Sequence, residues 1–268
     1  MKRTIKDLHL DGKRVLIRVD FNVPLTDCTV ADDTRIQASL PTIRFAIAAG
    51  AVVVLVSHLG RPNGRRTAEL SLSAVGQRLS QLLERQVTFA TDCVGPLAKA
   101  AVDEAGPGEV ILLENVRFHA GEEANDSRFS ASLGTLADVY VNDAFGTAHR
   151  AHASTVGIVP RMADAGAGLL MAAELDHLGS LLAAPEHPYV AVLGGSKVSG
   201  KLEVLEHLID RVDTLLIGGA MAYTFLKARG LPTGGSLVEL NLIDATRRIE
   251  DQVEAAGVAL KLPTDHIV

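Results

Sequence analysis

The sequence predicts an α/β protein: two doubly wound, mainly parallel, Rossmann-like sheets joined by a helix, the second sheet domain incomplete. Short apolar runs alternate with stretches of helical period at the spacing of βαβ units. Four of the runs empty into polar chain, which is where an open parallel sheet presents chemistry. A break with two prolines at residues 183–188 stops the pattern before it restarts, which divides the chain into a domain at 1–170, a helix and linker at 171–187 and a partial domain at 188–268.

Residues 14–19 (RVLIRV) form the first strand and end at Asp20-Phe21-Asn22-Val23-Pro24, where Pro24 forbids a central strand. Asp32-Asp33-Thr34 offers cap residues for a helix from Arg35, interrupted near Pro41 and closed by Gly50. Residues 51–56 (AVVVLV) are a strand leading to Ser57-His58-Leu59-Gly60-Arg61-Pro62. A loop (63–71), a helix (72–85), a short strand (87–90) and a helix (96–105) follow. Residues 109–113 lead into Glu114-Asn115-Val116-Arg117-Phe118. An acidic loop (121–126) reads as a solvated turn, and a helix near 129–136 precedes the strand 139–141 and the polar stretch Asn142–Thr155. A helix is expected over 166–182. The second domain offers strands at 189–193, 213–217 and 258–262, with helices after the first two and near 243–256.

Composition narrows the partners. With 47% apolar and 22% charged residues the chain is globular, and a net charge of -6 argues against nucleic acid or an anionic membrane. An anionic substrate must therefore meet a local cluster of positive charge. No apolar run reaches spanning length and MKRTIKDLHL has no signal-like core, so a cytoplasmic protein is expected. Cys28 and Cys93 lack a CxxC spacing and read as reduced thiols, with neither a disulfide nor a zinc site.

Asp20/Asn22, His58/Arg61, Asn115/Arg117 and Asp143/Arg150 all fall on one edge of the predicted sheet. A single arginine after a strand is usually just solvated. Several guanidinium forks on one edge suit a small, multiply charged anion, because each fork matches phosphate or carboxylate oxygens bidentately. GGSKVSGK follows a strand and opens a helix, where backbone N–H groups favour phosphate. Leu202 stands where a P-loop requires Ser or Thr, which excludes a true P-loop. Gly218-Gly219 is a second close-approach turn, equally compatible with tight packing. His149 and His152 are expected to hydrogen-bond in the cleft rather than bind a metal, since no further ligands accompany them.

Seven segments in order, RVDFNVPL, DDTRI, SHLGRP, LENVRF, YVNDAFGTAHRAHAST, LGGSKV and IGGAMAYTFLK, resemble phosphoglycerate kinase. The resemblance implies phosphoryl transfer between ATP and the carboxylate of 3-phosphoglycerate, giving 1,3-bisphosphoglycerate and ADP, by a monomer. Arg61, Arg117 and Arg150, with His58, would grip the 3-phosphate, and Asp20 and Asn22 would orient the glycerate. Phe21, Leu59 and Gly60 would complete the substrate site. Arg35 would face the reacting carboxylate and Lys197 the phosphoryl group, while Gly195, Lys201 and Gly219 would hold the nucleotide. Mg2+ would come with ATP or ADP, its protein ligand expected beyond residue 268. Gly200 departs from the family's usual Asp, and the family's last third is not in this sequence. The alternative to the kinase is therefore a 3-phosphoglycerate-binding fragment without turnover.

Overall fold

The computed structural model describes residues 2–183 and 185–266. The chain divides into two compact units, with the boundary after Asp176, inside a helix. The first unit holds a six-stranded sheet built from β1 (Arg14–Arg18), β4 (Val52–Val56), β5 (Val87–Ala90), β6 (Val110–Leu113), β7 (Val139–Asn142) and β8 (Asp164–Ala167). Its order is β5-β6-β4-β1-β7-β8, every pair parallel. A two-stranded antiparallel hairpin, β2 (Leu25–Thr26) with β3 (Thr29–Val30), stands apart from it.

Each central strand is buried on both faces, so its side chains alternate between two cores. Val15, Ile17, Val53, Leu55, Leu112 and Val141 meet α1 (Thr34–Ala48) and α2 (Ser73–Leu83) on one face. Leu16, Val54, Val56, Ile111, Leu113 and Tyr140 meet α3 (Gly95–Asp103) and α5 (Ser127–Gly134) on the other. Arg18 follows Leu16 by two residues and so enters this second, otherwise apolar side.

Four local expectations change. Helix α1 runs unbroken through Pro41, because Ser39, Leu40, Thr42 and Ile43 around it are buried and that packing outweighs the lost backbone hydrogen bond. The helix expected from residue 166 begins instead at Leu169 (α7, Leu169–Ala183), and residues 164–167 form edge strand β8. Asp-Ala-Gly-Ala has no β-branched or aromatic residue to announce a strand. The hairpin β2–β3 was likewise not expected from sequence. The acidic stretch is no solvated turn: α4 (Ala120–Glu123) forms there and Glu122 is completely buried.

The second unit has a three-stranded parallel sheet, β9 (Val190–Leu193), β10 (Thr214–Ile217) and β11 (Ala259–Lys261), in the order β11-β10-β9. Its core gathers Leu215 and Ile217 with residues of α8 (Leu202–Ile209), α9 (Met221–Ala228) and α10 (Ile243–Ala255). Val190 and Val192 are exposed.

Candidate active site

Register fixes the site. Arg18 at the end of β1 lies opposite Val56 of β4 and Asn142 of β7, so the chain beyond all three strands emerges on one edge. The Arg18 guanidinium, 1% exposed, donates from Nε to Ser154 Oγ at 2.8 Å and from a terminal nitrogen to the Val19 carbonyl. Its other terminal nitrogen lies 3.1 Å from His58 Nδ1, which must act as acceptor because arginine has only donors. His58 is therefore neutral. Burial, and after it Arg18, Arg117, Arg150 and His152, push its pKa down from 6.5 to about 2.

Arg117 is 3% exposed and donates to the Gly60 carbonyl at 2.8 Å. Its Nε is 3.3 Å from Glu123, yet Nε and the second terminal nitrogen are buried without a hydrogen-bond partner. Buried donors left unmade are costly and rare in native proteins. Burial is the main reason its proton is held less tightly, with Arg150 and Arg18 adding to it and Glu123 opposing. Asn115 sets the loop: its amide donates to the Leu59 and Leu70 carbonyls, and its oxygen accepts the Arg117 N–H.

Asp20 pairs with Arg35 at 2.5 Å and lies 4.0 Å from His58 Nδ1, which places Arg35 beside the cluster. Asn22 Oδ1 accepts the Gly60 N–H at 2.8 Å. A left-handed φ of +61° and a Leu70 methyl 2.7 Å from any added Cβ require glycine at position 60. Both Gly60 backbone groups are thus spent within the protein. The side chains of Phe21 and Leu59 are packed in the core, which leaves their backbone groups as the parts that could face a substrate. Arg61 is exposed next to Gly60, and Arg150, half-buried, reaches His149 Nε2 at 3.4 Å. Asp20, Arg35, Ser39, Asp143 and Phe145 are among the residues lining a cleft of about 240 Å³. Asp143 turns inward, accepts the Met171 N–H at 3.1 Å and ties the end of β7 to the start of α7; burial raises its pKa.

Sequence reasoning missed Arg18, Glu122 and Ser154. Glu122 accepts the Ser154 N–H at 2.9 Å and the Ser154 hydroxyl at 2.6 Å, and its carboxylate lies 3.8 Å from His152 Nδ1. Ser154 sits in a single π-helical turn, Ala153–Gly157, whose carbonyl at Ser154 is also held by the Tyr140 hydroxyl at 2.7 Å. A charged residue closing the apolar strand RVLIRV was the available signal for Arg18. Glu122 gave none.

In the second unit, Gly195 and Gly219 follow adjacent strands and pack directly. A Cβ on Gly219 would meet the Gly195 backbone at 2.9 Å, and one on Gly195 would come within 3.0 Å of Lys201 Nζ. Gly195, Lys201 and Gly219 therefore share one place, while Lys197 is exposed on the same loop. The loop is braced by Glu239, which accepts the Val198 N–H at 2.5 Å, the Ser199 N–H at 3.1 Å and the Ser199 hydroxyl at 2.7 Å. Nothing lies within 4 Å of a Cβ built on Gly200.

Two outcomes test this geometry. Replacing Glu122 by Gln should cost about 1.5–3 kcal/mol in urea unfolding, the worth of hydrogen bonds to a buried charge; an unchanged midpoint would contradict the clamp. For His58 the folded pKa lies below the unfolded value of 6.5, so the unfolded chain takes a proton that the folded one refuses. That contribution is whole above pH 6.5 and is lost as pH falls toward 2, by up to about 1.4 kcal/mol per pH unit. Unfolding at a series of pH values should show a shallower acid limb for His58→Asn.

The family model described as "Phosphoglycerate kinase" matches residues 5–268. The phosphoglycerate kinases of Chlorobium chlorochromatii and Solibacter usitatus are each 54% identical, over 100% and 99% of this chain and 68% of their own lengths. Among solved structures, the phosphoglycerate kinase of Coxiella burnetii superposes with a TM-score of 0.87 at 41% identity, covering 98% of this chain and 66% of that one. That of Pyrococcus horikoshii gives 0.83 at 33% identity, covering 98% and 67%. This chain thus spans about two thirds of the length of the relatives it matches, and it belongs to the phosphoglycerate kinase family.

Proposed function

We propose that the chain serves reversible phosphoryl transfer between ATP and the carboxylate of 3-phosphoglycerate, giving 1,3-bisphosphoglycerate and ADP. One observation carries this reading. Arg117 is nearly fully buried, keeps two unpartnered donors, and lies among Arg18, His58 and Arg150. A phosphate dianion supplies the acceptors and the negative charge that this cluster lacks. Arg61, Arg117 and Arg150 with His58 then hold the 3-phosphate, Asp20 and Asn22 orient the glycerate, and Arg35 faces the carboxylate. Lys197, Lys201 and the Gly195 and Gly219 backbones take the nucleotide phosphates.

The chemistry asks for little more. A carboxylate nucleophile is anionic at neutral pH, so no general base is required, and catalysis reduces to in-line placement and charge neutralisation. The cluster already carries fixed positive charge, and its Ser154 hydroxyl is engaged by Arg18 and Glu122. Magnesium accompanies ATP in such transfers. Among the described residues the carboxylate that meets the glycine loop, Glu239, has both oxygens engaged by the loop, so it does not fit as a ligand for that ion. A monomer acting in the cytoplasm suits this reading; among the described residues no helix is long and apolar enough to cross a membrane. The binding-only alternative draws no support from the relatives, which are named as kinases.

Calorimetry with 3-phosphoglycerate, alongside a coupled assay with ATP, tests the proposal. Arg117→Met should weaken 3-phosphoglycerate binding by roughly tenfold to a hundredfold, the loss of one charged hydrogen-bonding group. Glycerate, which lacks the phosphate, should bind far more weakly to the unaltered chain. Equal affinity for the two ligands, or no effect of Arg117→Met, would overturn the assignment.

A further inference from the structure

Away from the arginine cluster, the loop after β5 and the start of α4 bring together three side chains that the proposed reaction does not use. We infer that Asp92, Cys93 and His119 form a binding site for a borderline divalent cation such as zinc. An Asp oxygen, the Cys sulfur and a His nitrogen all lie within 4.8 Å of one another. The closest pair is Asp92 Oδ1 and His119 Nε2, at 2.7 Å.

The three are arranged as a floor and a rim. Cys93 is 0% exposed and its sulfur lies within 4.8 Å of the Asp92 oxygen and the His119 nitrogen, so a fully buried thiol faces the cluster. Asp92 and His119, with side chains 31% and 35% exposed, leave an opening from solvent. Both are positioned by their surroundings. The same Asp92 oxygen accepts the Cys93 N–H at 2.7 Å, and the His119 ring lies against Phe129 with centroids 5.2 Å apart. The surroundings are negative: burial, and after it Asp92, Glu122 and Glu114, push the Cys93 thiol well up, so a cation is favoured there but must displace a firmly held proton, while the nearby Arg66 is paired with Glu114 at 3.4 Å.

The donor set selects the metal. Thiolate, imidazole and carboxylate together favour zinc or cobalt over magnesium, which prefers oxygen ligands and retained water. Zinc bonds of about 2.0–2.3 Å place tetrahedral ligands roughly 3.3–3.8 Å apart. The cluster reaches that spacing if Asp92 and His119 separate by about 1 Å and the sulfur approaches. Coordination replaces the Asp92–His119 hydrogen bond by two bonds to the ion. It releases the thiol proton to solvent and uses His119 as the neutral Nδ1–H tautomer, leaving a fourth position for water. His119 is two residues from Arg117 and three from Glu122, so the ion would also anchor the segment that carries both. The proposal departs from the sequence reading of Cys93 as a reduced thiol outside any zinc site, and it is independent of the proposed kinase function.

Cobalt titration of the reduced, metal-free chain carrying Cys28→Ser tests the site, since the exposed second cysteine is then silent. One equivalent should produce a thiolate-to-cobalt charge-transfer band with the visible bands of tetrahedral cobalt, both abolished by zinc. Cys93→Ser should remove the charge-transfer band. His119→Gln and Asp92→Asn, at partly exposed positions and with folding checked by circular dichroism, should each weaken zinc binding by roughly tenfold or more. Absence of the thiolate band, or unchanged zinc affinity in both rim variants, would overturn the site.

Discussion

Two arginines of this protein are buried together. Arg18 and Arg117 are withdrawn from water within electrostatic reach of one another, with Arg150 and His152 close by. Burying like charges opposes folding unless each gains hydrogen bonds and counter-charge. Arg18 obtains its partners from Ser154, Val19 and His58. Arg117 obtains fewer, with Gly60 and Glu123 answering part of its guanidinium. In the proposed function that shortfall is the place an anion fills, and fixed donors of this kind stabilise charge without reorganisation.

The fold holds that shortfall open. Parallel register lines up the ends of β1, β4 and β7, and the two-residue repeat of β1 sends Arg18 to the face where α5 and the π-helical turn lie. Glu122, sealed beneath that turn, holds Ser154 by backbone and side chain, and Tyr140 holds the Ser154 carbonyl. A buried polar network whose members are mutually satisfied specifies one geometry. Here it fixes the turn that follows Arg150 and His152, so a carboxylate with no direct part in binding shapes the charged edge.

The sequence made the sheet edge legible because it depends on period and punctuation. Apolar runs of three to six residues leading to Asp20, His58, Asn115 and Asn142 survive any detail of side-chain packing. Arginines were legible as a class, since a protein of net charge -6 has reason to gather them only for an anion. Tertiary satisfaction of polar groups was not. Glu122 looked like one more acid in a run of them, and nothing local says that Ser154, 32 residues later, closes over it. The facing of side chains within a motif was not legible either: Phe21 and Leu59 pack into the core, and proximity in a motif says nothing about which face a side chain takes. Strand β8 and the passage of α1 through Pro41 escaped notice because packing overrode weak local preference.

In the second unit, Gly219 packs closely against the Gly195 backbone and Lys201 Nζ lies over the same turn. The account stands on the first unit, however, and on the claim that its guanidinium cluster lacks an anion. Thermal unfolding in inorganic phosphate against chloride at matched ionic strength tests that claim directly. The account predicts a saturable rise in the unfolding temperature with phosphate that Arg117→Met abolishes. Superimposable curves in the two salts, or an equal rise in the variant, would contradict it.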